Sequence, residues 1–183
     1  MIHGFEGHPN GGWRPWLMAE LEKENIYSAS LVMKNPYKPI AEEWISEIEE
    51  NVKKFPKQKI ILIGHSLGVP AILRFLQDKN PKNILGCILV SGPHKIDPEA
   101  KRLKKVLNSF FEKEFDFKKI KSTAEQFTII HGSDDRGVNF SQAEFLTEKL
   151  GGKLVKVNKG GHLNADSGFF KLPQALKSIL EMI

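Results

Sequence analysis

One pentapeptide constrains this chain more than any other feature: Gly64-His65-Ser66-Leu67-Gly68, which fits the pattern G-x-S-x-G. An apolar run directly precedes it, and residues 67–77 directly after it have a helical pattern. At such a strand-to-helix turn the serine backbone is strained and the hydroxyl points away from the sheet. The motif also occurs by chance in loops, but this context favours a nucleophilic Ser66.

Two backbone groups are candidates for stabilising an oxyanion. The first N–H groups of a helix have no partner within it, so the Leu67 N–H is available to a developing negative charge. A second donor is expected from the loop after an early strand, and residues 3–7 occupy that place. The Phe5 N–H is the candidate there, with a plain glycine-rich turn as the alternative.

A serine hydroxyl needs a base, and the chain supplies an acid and a histidine in the expected order. Asp134 and Asp135 follow a strand candidate, and His162 follows Gly160-Gly161. Only one of two adjacent carboxylates can reach the imidazole, and the other is expected to accept hydrogen bonds within its own turn. An exposed loop histidine is the alternative interpretation of His162.

Short β-branched runs alternate with helical patterns, which predicts α/β architecture with a mostly parallel sheet and helices on both faces. We expect one domain spanning residues 1–183, and six strands at residues 1–2, 29–33, 59–63, 85–90, 127–131 and 154–157. The helix candidates are residues 13–24, 41–54, 67–77, 102–111, 140–150 and 172–182.

The right-handed crossover rule places the first strand between the second and third, giving the order 2-1-3-4-5-6. Only Met1 and Ile2 precede His3-Gly4, so this strand is truncated or the natural chain begins further upstream.

The composition of the chain limits its expected cellular location and its expected binding partners. The absence of a long apolar run or a signal peptide, with Cys87 as the only cysteine, predicts a cytoplasmic protein without membrane insertion. The net charge is +5, and residues 95–121 carry nine basic and five acidic side chains. We expect a solvated face there rather than a nucleic-acid site, although a protein partner is possible. The six histidines have no metal-ligand spacing, so we predict no metal and no cofactor.

Nearly the whole chain resembles the small α/β hydrolases of the YdeN and retinoblastoma-binding-protein-nine group. The similarity is carried by His3-Gly4, Trp13-x-Pro15-Trp16-Leu17, Met33-x-Asn35-Pro36 with Trp44, residues 64–76, Leu89-Val90-Ser91-Gly92, Ser133-x-Asp135 and Gly160-Gly161-His162. The resemblance implies a single α/β-hydrolase domain without a large lid. It also implies a triad of Ser66, Asp135 and His162, because Gly132, Asp135 and Val138 match the family's G-x-x-D-x-x-V spacing.

The expected activity is hydrolysis of small ester-type acyl substrates through an acyl-enzyme intermediate. An amidase or aminopeptidase with the same triad is one alternative, and a non-catalytic partner-binding module is another. A small, partly open apolar pocket for short acyl groups is expected near Trp13, Trp16, Leu67, Pro93 and His94, although both tryptophans could instead be core residues.

Overall fold

Strands and helices alternate along the chain. The computed structural model describes residues 1–97 and 99–183. Its strands are β1 (Ile60–His65), β2 (Ile84–Val90), β3 (Ala124–Gly132) and β4 (Lys153–Val157). Its helices are α1 (Arg14–Lys23), α2 (Ala41–Lys53), α3 (Gly68–Lys79), α4 (Lys101–Phe111), α5 (Phe117–Lys121), α6 (Phe140–Leu150) and α7 (Pro173–Leu180).

The four strands form one parallel sheet in the order β1-β2-β3-β4. They correspond to the last four strands expected from the sequence, in the expected order. The prediction of a parallel α/β sheet is therefore confirmed, whereas the prediction of six strands is wrong.

The first two of the six expected strands are reduced to short hydrogen-bonded segments. Ile2 forms an isolated parallel bridge with Gly64, and Met1 exchanges backbone hydrogen bonds with Ala29 and Leu31. Residues 1–2 thus lie between residues 29–31 and β1, as the crossover rule required. They are too few for a ladder, because the chain turns away at His3-Gly4; residues 29–33 then have no further strand to pair with.

Helices cover both faces of the sheet. One core contains residues of α2, α3, α4, α5 and α6 together with Leu62, Cys87 and Leu89. The other contains residues of α1 and α7 together with Ile63 and Ile88. Strands buried on both faces explain the continuous apolar runs in the sequence.

A cavity of about 520 Å³ lies beside β1, where the short first segment ends. It lies between residues 26–31 and the start of β1, and Val52, Phe55 and Ile183 also line it. In the described part of the chain, no helix combines the length and apolar character needed to cross a membrane.

Candidate active site

Ser66 follows the last residue of β1 and precedes the first turn of α3. Its φ angle of 53° is in the left-handed region that non-glycine residues rarely adopt. The Ser66 N–H donates to the carbonyl of Val90 at the end of β2 (2.9 Å). The serine is therefore fixed at the carboxyl edge of the sheet, where ligands of open α/β sheets bind.

Close backbone contacts explain the two glycines of the pentapeptide. A Cβ atom on Gly64 would lie 2.7 Å from the carbonyl oxygen of Gly68. A Cβ atom on Gly68 would lie 2.5 Å from the carbonyl oxygen of Ile2. The turn at Ser66 therefore closes tightly only because the residues two positions before and after it, Gly64 and Gly68, lack side chains.

The loop of residues 3–7 passes directly over Ser66. A Cβ atom on Gly4 would lie 2.8 Å from the Ser66 Cβ. Neither the Phe5 N–H nor the Leu67 N–H donates to any acceptor in residues 1–97 or 99–183. The two groups that the sequence suggested for an oxyanion are thus both unpaired, and the loop carrying one of them touches the serine.

The carboxylate that contacts the histidine is Asp135. Its Oδ2 lies 2.8 Å from His162 Nδ1, and its Oδ1 accepts the N–H groups of Gly137 (2.8 Å) and Val138 (2.9 Å). Burial alone would raise the pKa of Asp135, but the hydrogen bond and charge of His162 and the two backbone donors lower it below 3.8. Asp135 is therefore ionised at neutral pH, although its side chain is inaccessible to solvent.

A second buried histidine lies against the same carboxylate. His131 Nε2 donates to the Val138 carbonyl (2.9 Å) and is 3.5 Å from Asp135 Oδ2. Burial lowers the pKa of His131, so it is a neutral support of the Asp135 turn rather than a charged partner. The sequence gives no signal for this role, because His131 differs from the other residues of the predicted strand 127–131 only in being ionisable.

Four side chains hold the loop that carries His162. Asp134 accepts the Gly161 N–H (2.9 Å), Ser133 accepts the Lys159 N–H (3.2 Å), and Ser167 accepts the His162 N–H (3.2 Å). The expectation that the second carboxylate bonds within its own turn is wrong, because the turn faces the histidine loop and presents Asp134 to it.

The fourth of these side chains is His65, next to the serine. Its Nε2 donates to the His162 carbonyl (2.9 Å), and the two rings are 5.0 Å apart. Burial, and then the charge of His162, lowers the pKa of His65 to about 3, so the ring is neutral at physiological pH. His65 therefore links the serine turn to the histidine loop across 97 residues of sequence.

The residues expected around the substrate lie in three different settings. Trp13 is 1% exposed, with its Nε1 donating to the Leu163 carbonyl, and Leu67 is also 1% exposed. Both are core residues, which agrees with the alternative given for Trp13. Trp16 packs partly buried against the same core as Trp13. His94 lines a separate cavity near the carboxyl end of β2.

A parallel sheet with helices on both faces and a serine at a tight turn on its carboxyl edge is the architecture of the α/β hydrolases. The chain belongs to a family within this class: the family model described as "Serine hydrolase" matches residues 1–181. The resemblance inferred from the sequence is therefore confirmed.

Two relatives show how far the similarity extends. YdeN of Bacillus subtilis (strain 168) is 34% identical over 174 residues, which cover 94% of this chain and 89% of YdeN. The serine hydrolase RBBP9 of Rattus norvegicus is 25% identical over 173 residues, covering 92% and 87% of the two chains.

Solved structures agree with this assignment. The crystal structure of the B. subtilis ydeN product superposes with a TM-score of 0.90 at 32% identity, covering 99% of this chain and 95% of the other. Est1E from Butyrivibrio proteoclasticus superposes with a TM-score of 0.74 at 16% identity, covering 99% and 86%, and shows the shared fold alone.

Proposed function

We propose that this hydrolase cleaves small ester-type acyl substrates through a triad of Ser66, His162 and Asp135. The observation that carries the proposal is the 2.8 Å contact between His162 Nδ1 and the buried, ionised Asp135. An imidazole held in this way keeps its Nδ1 proton, which leaves Nε2 free to accept a proton from a serine.

The reaction begins with attack of Ser66 Oγ on the substrate carbonyl, while His162 Nε2 removes the serine proton. The tetrahedral oxyanion binds to the unpaired N–H groups of Phe5 and Leu67. His162 then protonates the leaving alcohol, and the acyl group stays on Ser66. Water, activated by the same imidazole, releases the acid in a second step. Asp135 orients the imidazole and stabilises its positive charge without taking the proton.

Two assays test this proposal. A fluorophosphonate probe should label the purified chain, and Ser66→Ala should abolish both labelling and hydrolysis of p-nitrophenyl acetate. Ser46→Ala, a half-buried serine in α2, is the matched control and should leave both unchanged. Labelling that persists in Ser66→Ala would overturn the assignment of the nucleophile.

The leaving group decides between the ester and amide alternatives. We expect p-nitrophenyl acetate and butyrate to be cleaved much faster than acetyl p-nitroanilide, and faster than esters of long-chain acids. The opposite preference for the anilide would make the enzyme an amidase with the same triad. A chain that neither labels nor turns over any of these substrates would be a binding module.

A further inference from the structure

A cavity of about 540 Å³ lies outside the proposed triad, between the loop after β2 and helices α4, α5 and α6. This volume is within the range of small-molecule sites. None of Ser66, Asp135 and His162 lines it. It therefore requires an explanation of its own.

Aromatic rings form its walls. His94 stacks face to face on Phe145, with ring centroids 4.0 Å apart and 13° between the planes. Phe117 meets Phe145 edge to face at 5.4 Å, and Phe115 lies 5.8 Å from Phe117. Phe111 completes this set. These partly buried rings offer flat apolar surface to a ligand.

A buried arginine fixes one wall. The Arg74 guanidinium, from α3, donates to the backbone carbonyls of Phe110 (3.0 Å), Lys113 and Glu114 (3.1 Å). It also lies over the ring of Phe115, 3.8 Å from the centroid. The turn between α4 and α5 is therefore anchored to the helix that follows Ser66, which makes the cavity preformed.

The rim of the cavity is positively charged. Lys95, Lys104 and Lys113 line it with one carboxylate, Glu114. All four side chains are exposed, and none forms an ion pair within the described part of the chain. Burial, and then the charge of Lys95, lowers the pKa of His94 to about 4. The His94 imidazole is therefore an uncharged part of the cavity wall, and the three lysines provide the positive charge.

We propose that this cavity binds a small organic monoanion, with an aromatic or short apolar body against the phenylalanines and its carboxylate at the lysine rim. A neutral ligand would use the walls and leave the ammonium groups unused. Three lysines against one glutamate leave the rim net positive, which favours a ligand that carries a carboxylate. The site goes beyond the proposed hydrolysis and does not depend on it, because no triad residue takes part.

The test measures binding to Ser66→Ala, so that turnover plays no part. Isothermal titration calorimetry with 4-phenylbutyrate should show one saturable site, with weaker binding of the neutral isostere 4-phenylbutyramide. The double variant Lys104→Gln/Lys113→Gln should weaken 4-phenylbutyrate about ten-fold, since each exposed charge pair contributes a factor of up to about five. Its affinity for the amide should not change.

Two further variants make the test specific. Lys57→Gln/Lys171→Gln removes two exposed lysines away from the cavity and should leave 4-phenylbutyrate binding unchanged. Phe117→Leu should weaken both ligands, because both use the aromatic wall. The proposal is overturned if neither ligand binds in the millimolar range, if both bind equally, or if the control pair weakens binding as much as the rim pair.

Discussion

Asp135→Asn tests the proposed triad with the smallest change in shape. The asparagine Oδ1 can still accept the N–H groups of Gly137 and Val138, so the turn keeps two of its hydrogen bonds. Its NH2 group replaces the oxygen that faces His162 Nδ1. An NH2 donor there favours the His162 tautomer that carries its proton on Nε2. A protonated Nε2 cannot accept a proton from Ser66.

Two magnitudes follow from this geometry. Loss of the correct tautomer in a serine triad lowers kcat by about 10⁴, which corresponds to roughly 5.4 kcal/mol of barrier. The charge-assisted hydrogen bond to His162 becomes one between neutral groups, which should lower the free energy of unfolding by about 1–2 kcal/mol. The variant should therefore stay folded at 25 °C while losing nearly all turnover.

The dependence of the free energy of unfolding on pH below 4 gives an independent test of the role of Asp135. The folded pKa of Asp135 is below 3.8, so its ionised form stabilises the protein above that value and this contribution is lost as pH falls through the folded pKa. In Asp135→Asn this loss is absent, and urea titrations below pH 4 should show a weaker dependence on pH than in the wild type.

Asp134→Asn is the matched control for the assay on p-nitrophenyl acetate. An asparagine there can still accept the Gly161 N–H, so kcat should remain within about three-fold of the wild type. The reasoning is refuted if Asp135→Asn keeps wild-type turnover, or if Asp134→Asn is the variant that loses it.

Three further substitutions test parts of the site and its support. Gly4→Ala places a Cβ 2.8 Å from the Ser66 Cβ and should displace the loop that carries the proposed oxyanion donor Phe5; kcat should fall about 10²-fold, and unchanged kcat contradicts the role of this loop. His65 has a folded pKa of about 3 against 6.5 when unfolded, so protonation of the unfolded chain destabilises the fold as pH falls below about 6.5. His65→Gln should reduce this slope, by at most about 1.4 kcal/mol per pH unit, in urea titrations between pH 6 and 4; an unchanged slope excludes His65 as its source. Arg74→Met leaves three carbonyls without their donor and should lower the free energy of unfolding by about 2–4 kcal/mol, whereas a urea midpoint equal to the wild type contradicts the anchoring described.

Elements whose signals are local were predictable from the sequence. Helix α6 has the predicted bounds, because Asn139 caps its first turn and Gly151, with φ 65°, ends it. The strands β1 to β4 were found from their apolar runs, with boundaries shifted by up to three residues. Helix α5 was missed, since five residues are too few for a periodic pattern.

Features that depend on distant partners were not predictable in the same way. Residues 29–33 have the composition of a strand, yet a strand exists only where a neighbour pairs with it, and among residues 1–97 and 99–183 Met1 alone does so. The supporting role of His65 arises from its contact with His162, 97 residues away, and that of His131 from contacts four and seven residues along the chain that its place in an apolar run did not reveal. The candidates Ser66 and His162 were visible because their glycine-rich turns are local signals.

The isolated bridge of Ile2 has a consequence for how the enzyme responds to heat. Two backbone hydrogen bonds, from Ile2 N–H to Ile63 and from His65 N–H to Ile2, tie the start of the chain to β1 just before the loop over Ser66. Backbone N–H groups alternate in direction along β1. Those of Ile61 and Ile63 therefore point away from β2, towards the cavity of about 520 Å³ beside β1. Although the Ile2 side chain is buried, this segment has no extended ladder, and segments with few backbone bonds open at a lower free energy than the strands of the core. Warming should therefore inactivate the enzyme reversibly, by detaching the loop of residues 3–7, before the sheet itself unfolds.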